Sequence, residues 1–218
     1  MGGSVADRDR IYGADENERI RRVYARSAPS FDRQARFWEK VLFQDGRRWA
    51  CLQVRGEVLD VGIGTGLNLP LYPDDVRLTG IELCPEMLEI ARRRAAELGR
   101  QVELRVGDAH ALEFPAERFD CVVFTLSLCT IPDDRKAISE ARRVLRPGGR
   151  LVLLEHVRSP LLPVRIVQRA LEPLALWLGA DHLLREPLEH VRSEGFEVLS
   201  IERSKWGIME RLLATKPR

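Results

Sequence analysis

Asp60, Gly62, Gly64, Gly66 and Glu82 are the residues whose types and spacing point most directly to chemistry. The run 57–63, Glu-Val-Leu-Asp-Val-Gly-Ile, reads as a buried strand leading straight into a glycine turn. Glycines at alternate positions strip side chains from one side of the backbone, so a ligand can reach main-chain N–H groups that a Cβ would block. Glu82 ends a second apolar run about 20 residues further on, where a doubly wound fold holds the ribose of a nucleoside. The pattern is D-x-G-x-G-x-G, without a basic residue in the turn, rather than the dinucleotide pattern G-x-G-x-x-G. An acidic entry suits a positively charged nucleoside ligand better than one carrying two phosphates. A carboxylate at the buried carboxyl end of a strand is costly without a partner, which makes Glu82 the firmest of these residues.

Acid–base candidates are few. Glu155 and His156 end a later apolar run, and Asp181 and His182 open a polar stretch near residue 180. Ligands of open α/β sheets bind at the carboxyl ends of strands, which favours His156 as a base, and imidazole titrates near neutral pH. The competing reading makes Glu155 and His156 mere buttresses of a loop.

The elements that must position these groups alternate between strand and helix. Strands are expected at 57–63, 78–83, 102–106, 119–126 and 150–156. Helices are expected at 85–98, with Pro85 in its first turn and Gly99 at its stop, and at 133–145, before a turn at 146–149. Such alternation argues a parallel, doubly wound sheet. Residues 16–52 lack strand alternation and read as helices: Ile20, Val23 and Tyr24 share one face, Phe37, Val41 and Leu42 another, with a break at 27–30. Segment 161–178 carries Val164, Val167, Leu171, Leu174 and Leu178 at helical spacing, interrupted by Pro163 and Pro173. It reads as a helix packed on the core, or as one that rests on a membrane or covers an apolar substrate. A helix at 186–194 and strands at 196–203 and 209–215 close the chain.

At 218 residues, with 44% apolar and 31% charged content, the chain fits one globular unit with an appendage. A net charge of +2 gives no support to a nucleic-acid partner. The four cysteines form no C-x-x-C pair and the four histidines complete no spaced ligand cluster, so no metal is expected. Residues 1–10 are polar, Gly2-Gly3-Ser4 reads as a flexible start, and no run of 18 apolar residues spans a membrane. A reducing cytoplasm is the expected compartment, with room for peripheral membrane contact.

Five blocks then stand in order: LDVGIGTG (59–66), IELCPEML (81–88), GDAHALEFP (107–115), FDCVVFTLSLC (119–129) and RRVLRPGGRLVLLEHV (142–157). Together they resemble the class I S-adenosylmethionine-dependent methyltransferases related to the ubiquinone/menaquinone C-methyltransferases. The similarity extends to bacterial phosphatidylethanolamine N-methyltransferases and to small thiol methyltransferases. The resemblance implies a Rossmann-like α/β fold: a mostly parallel seven-stranded sheet, an N-terminal helical cap (1–53), and an antiparallel C-terminal strand within a cofactor-binding unit (54–218). Residues 158–195 would then form a substrate-covering insertion. It also implies roles. Asp60 and Gly62, Gly64, Thr65, Gly66 and Asn68 would hold the methionine end of the cofactor, and Glu82 both ribose hydroxyls. Leu83 and Met87 would pack on adenine, Asp108 would accept from its amino group, and Ala109 would lie close by. Thr125 and Leu126 would line the other side, and Tyr24 would close over the methionine. Phe31 stands where relatives carry a tyrosine.

Methyl transfer from a sulfonium is an in-line displacement in which the protein mostly supplies position. A base is needed only if the nucleophile carries a proton that must leave. His156, Glu155 and Asp181 are the candidates. The acceptor expected from the resemblance is an apolar or amphipathic small molecule or lipid, with a phospholipid headgroup amine favoured over a thiol, a quinone precursor or a natural product. A nicotinamide oxidoreductase is one alternative, although Asn68-Leu69-Pro70 makes a poor phosphate-binding helix start. A non-catalytic cofactor-binding protein is another.

Overall fold

The computed structural model describes residues 5–38, 41–42 and 44–218, with side chains from residue 16 onward. The glycine-rich start at 2–4 lies outside them. Seven strands form one sheet: β1 (Glu57–Val61), β2 (Arg77–Glu82), β3 (Val102–Val106), β4 (Phe119–Thr125), β5 (Leu145–His156), β6 (Glu197–Ser204) and β7 (Met209–Thr215). Their order is β3-β2-β1-β4-β5-β7-β6. The first five are mutually parallel, and β7 runs antiparallel to both β5 and β6. This is the expected Rossmann-like architecture with its reversed last strand. The order turns outward on either side of β1 and β4, so the crevice between their carboxyl ends is the natural ligand position.

Among the described residues, six α-helices flank the sheet: α1 (Val5–Trp38), α2 (Gly46–Leu52), α3 (Pro85–Glu97), α4 (Asp134–Val144), α5 (Leu162–Gly179) and α6 (Pro187–Ser193). β4 shows why the sheet is covered on both sides. Phe119, Val122 and Phe124 enter one core with Ile138, Ala141 and Val191 from α4 and α6. Cys121 and Val123 enter the other with Ala50, Cys51 and Leu88 from α2 and α3. A strand buried on both faces needs a nearly continuous apolar run, and β4 has one. Asp133 starts α4 by accepting from the Lys136 amide at 2.9 Å.

Three expectations fail locally. The break at 27–30 does not occur: α1 continues through Pro29, because Ala28 is buried against Cys84 and Met87, with Tyr24, Ala25 and Phe31 packed around them. Tertiary packing outweighs the lost backbone bond. The helical face expected for Phe37, Val41 and Leu42 crosses positions outside the described residues, and Phe37 and Val41 are exposed. The turn at 146–149 lies within β5, whose pairing jumps from Phe119–Leu145 to Cys121–Arg150 with Gly148 at φ +75°. It is a bulge that lets β5 begin directly after α4. Pro173 likewise sits inside an unbroken α5, on its exposed side, where the freed carbonyl meets water.

Candidate active site

The carboxyl ends of β1, β2, β4 and β5 open under α1 into a crevice of two lobes. The first, of about 100 Å³, is lined by Gly62, Gly64, Glu82, Leu83, Met87, Asp108 and Ala109, with Asn17 and Ile20 of α1 above them. The second, of about 190 Å³, is lined by Thr65, Thr125, Cys129, His156 and Asp181, with Trp38 at the end of α1. Tyr24, Phe31, Leu126 and Thr130 border both. Tyr24 and Phe31 meet edge to face, ring centroids 6.1 Å apart.

In the first lobe, Glu82 ends β2 half-buried. Its Oε2 accepts from the Gly64 amide at 3.0 Å and its Oε1 from the Cys84 amide at 2.9 Å. Burial raises its pKa, and the two amides oppose that rise. The glycine turn is more divided than its spacing suggests. All three glycines have positive φ. A Cβ on Gly62 would lie 2.6 Å from Ser127 Cβ, and one on Gly66 2.7 Å from Leu69 Cδ1. Only Gly64 is bare toward the crevice, with Met87 Cε at 3.8 Å from such a Cβ. Gly62 and Gly66 are glycines for the sake of packing, Gly64 for access.

Asp60, Gly66 and Asn68 stand behind the crevice wall rather than in it. Asp60 is fully buried; its Oδ2 accepts from Tyr72 Oη at 2.8 Å and Asn68 Nδ2 at 3.2 Å. Its Oδ1 has no hydrogen-bond partner among the described residues. Burial pushes its carboxyl up to about 6 against those hydrogen bonds. Asn68 also donates to Thr125 Oγ1 at 3.1 Å, coupling the turn to the end of β4. Asp108 is already engaged: Oδ2 accepts from Asn17 Nδ2 at 2.8 Å, and Oδ1 from the His110 amide at 2.9 Å. Burial would raise its pKa, but the His110 contacts hold it below the usual carboxylate value. Thr65 Oγ1 donates to Asp32 Oδ1 at 2.6 Å, and Asp32 pairs with Arg94, so α1 is strapped over the turn. Asn17, Asp32 and Arg94 were not visible as site residues, because their contacts join positions far apart in the chain.

The second lobe holds the acid–base groups. His156 Nε2 lies 2.9 Å from Asp181 Oδ1, and His156 Nδ1 is buried with no hydrogen-bond partner among the described residues. Burial works against the imidazolium, yet the Asp181 charge and hydrogen bond outweigh it and raise the His156 pKa. Asp181 arrives by tertiary docking of 181–185 on 128–132. The His182 amide donates to Cys129 O at 2.9 Å, and Arg185 reaches the carbonyls of Leu128, Ile131 and Pro132. Cys129 Sγ, a His156 ring nitrogen and an Asp181 oxygen fall within 4.8 Å of one another. Such a donor set could hold a cation, and no sequence spacing announced it. The His156–Asp181 hydrogen bond accounts for the cluster as a proton-sharing one, and burial with the Asp181 and Glu155 charges raises the Cys129 thiol pKa.

Glu155 is not in the lobe. It is buried, and its Oε1 accepts from the Ser127 and Leu128 amides, each at 2.9 Å. It fixes the loop after β4 and does not face an acceptor. His182 also points away, with Nδ1 3.8 Å from Glu172. Leu126, lining both lobes, holds φ +56° at the end of β4. A left-handed non-glycine residue is uncommon, and its place beside the crevice agrees with a functional site.

The comparisons with known proteins agree with this geometry. Residues 59–153 match the family described as a methyltransferase domain. Over 199 residues the chain is 31% identical to the demethylmenaquinone methyltransferase of Tropheryma whipplei strain Twist, covering 87% of this chain and 82% of that one. The chain belongs to the S-adenosylmethionine-dependent methyltransferases.

This methyltransferase is also 42% identical over 126 residues to the phosphatidylethanolamine N-methyltransferase of Cereibacter sphaeroides, covering 57% of this chain and 62% of that one. The match thus spans about three-fifths of that relative. A solved S-adenosylmethionine-dependent methyltransferase from Thermotoga maritima shares the fold at 23% identity, TM-score 0.68, over 90% of this chain and 99% of that one. The crevice suits the cofactor: Glu82 lines it, Asp60 lies buried behind its wall with one oxygen unpartnered among the described residues, a negative charge on either favours a cationic ligand, and Gly64 leaves a bare approach. After the turn the chain makes only a single 3₁₀ turn, Leu69–Leu71, so the helix N-terminus of a pyrophosphate site is not there.

Asp60 makes a pH prediction possible. A cationic ligand favours the ionised carboxylate, so protonating Asp60 should weaken S-adenosylmethionine binding. Acting across the wall, the Asp60 charge is expected to keep affinity level above about pH 7 and let it decline as the pH falls through about 6. Titration calorimetry across pH 5–8 checks it, and an affinity flat through pH 6 contradicts it. Asp60→Asn should flatten the curve.

Proposed function

We propose that the protein transfers a methyl group to the headgroup amine of a phospholipid. The carrying observation is the second lobe, where His156, oriented by Asp181, faces a cavity bordered by Tyr24, Thr130 and Trp38. S-adenosylmethionine supplies an activated methyl group on a sulfonium when bound. The Gly62–Gly66 turn and Glu82 bind its nucleoside and amino-acid parts, while Asp60 and Asn68 set the turn from behind. Tyr24 and Phe31 close over the junction of the two lobes and exclude water. An ammonium headgroup must lose a proton before its nitrogen can attack, and the hydrogen-bonded His156–Asp181 pair, which lines this lobe, takes that proton and becomes an imidazolium–carboxylate pair. The Cereibacter relative, named for phosphatidylethanolamine, supports an amine over a ring carbon. The Tropheryma relative, matched over more of its length, supports a quinone precursor as second reading.

Tritiated methyl transfer separates the readings. Purified protein is offered phosphatidylethanolamine vesicles, a demethylated quinone precursor and a small thiol in turn. Label in the phospholipid fraction is expected; label only in the quinone or thiol replaces this reading.

A further inference from the structure

We propose that α5 is a membrane-docking element whose outward face lies on an anionic phospholipid bilayer and sets the second lobe at that surface. This deepens the acceptor reading above and rests on it for its biological purpose.

The helix is inside out. A surface helix normally buries its apolar stripe and exposes its polar one. In α5 the one fully buried residue is Gln168. Its Oε1 accepts from the Ser159 amide at 2.8 Å, and its Nε2 donates to Val157 O and Leu183 O. Glu172 also lies on the inner side, half-buried beside His182. Leu162, Ile166, Leu171, Leu174, Trp177 and Leu178 are exposed instead, Ile166 at 60% and Trp177 at 74%. No described residue covers them, and no described helix is long and apolar enough to cross a membrane, so α5 is suited to lying on one.

Three observations select a bilayer as occupant. First, tryptophans mark both ends. Trp177 stands in the last turn. Trp206, 70% exposed on the β6–β7 turn, is tied to the start of α5 by Ser159 Oγ donating to Trp206 O at 2.6 Å. Tryptophan favours the headgroup region. Second, the charge on the helix is basic: Arg165 and Arg169 against Glu172 alone, with Lys205 beside Trp206. A second copy seated on the same face would bring arginines together, whereas an anionic surface complements them. Third, the face runs into the site. Gly179 ends α5 two residues before Asp181, which lines the second lobe, and exposed Trp38 lines it from α1.

The test uses the full chain loaded with S-adenosylhomocysteine and vesicles that contain no ethanolamine lipid, so that binding is read without turnover. Co-sedimentation with phosphatidylcholine–phosphatidylglycerol vesicles is expected, with weaker binding to pure phosphatidylcholine and a loss at high salt. Ile166→Glu with Leu174→Glu should weaken binding about a hundredfold, since each apolar side chain contributes at least a factor of about ten when buried. Arg165→Glu with Arg169→Glu should abolish the anionic preference while keeping the apolar stripe. Unchanged circular dichroism and S-adenosylhomocysteine affinity show that the variants fold. Three results overturn the proposal: no sedimentation of the unaltered chain, undiminished binding by Ile166→Glu/Leu174→Glu, or an unaltered dimer that this variant turns into a monomer. A docking surface with no label in phosphatidylethanolamine would leave docking intact and remove the amine acceptor.

Discussion

Glu82→Gln is expected to weaken S-adenosylhomocysteine binding about 10- to 150-fold, the equivalent of about 1.5–3 kcal/mol for hydrogen bonds to a charged group. The Glu82 carboxylate both lines the first lobe and organises its walls. Its two oxygens already hold the amides of Gly64 and Cys84. A carboxylate still has lone pairs to spare for two hydroxyls; a carboxamide does not. Glutamine would turn an NH₂ group toward one of those amides, donor against donor, and lose an acceptor for the ribose. The loss should appear with S-adenosylhomocysteine, which lacks the sulfonium, because the argument rests on the sugar and not on the methyl group's charge. Calorimetry at neutral pH reads the affinity. A parallel melting curve separates lost contacts from a collapsed turn. Unchanged affinity in a folded Glu82→Gln protein would remove this residue from the cofactor site.

The legible part of the site was the part written within one element. Asp60, the glycine turn and Glu82 sit at the ends of β1 and β2, and periodicity alone located both strands. What an isolated sequence does not carry is the side to which a group turns. Asp60 reads as a ligand contact, but Tyr72 and Asn68 claim it from behind the wall. Glu155 and His156 are neighbours on β5, so their side chains leave opposite faces. One anchors the loop after β4 and the other faces the second lobe. The same ambiguity governs α5. Its spacing showed an apolar stripe, and spacing is equally satisfied by a stripe pointing in or out; only the burial of Gln168 decides. Contacts such as Asn17–Asp108 and Asp32–Thr65 join residues with no local pattern between them. They make α1 a strap over the crevice, and they also explain why Pro29 fails to break it.

His156→Ala is expected to lower kcat about 10²- to 10⁴-fold while leaving S-adenosylhomocysteine affinity unchanged. The separation follows from place: His156 lines the second lobe and not the first. The pH profile carries the finer test. A base must be neutral to accept a proton, so the rate should rise with pH through the His156 pKa. Asp181 stabilises the imidazolium and holds that pKa above its ordinary value of about 6.5. Asp181→Asn should therefore move the rising limb to lower pH and reduce the plateau, because the ring loses both its partner and its orientation. Stability obeys the matching sign. A histidine whose pKa is higher folded than unfolded contributes stability that is complete below about pH 6.5 and is lost as the pH climbs through the folded value. The melting temperature of the unaltered protein should thus decline across the range where its rate increases, and in Asp181→Asn that decline should shrink. A merely structural histidine would move the melting curve without moving the limb. If His156→Ala keeps its turnover and its pH profile with the acceptor that takes the label, proton removal belongs to another group or to solvent.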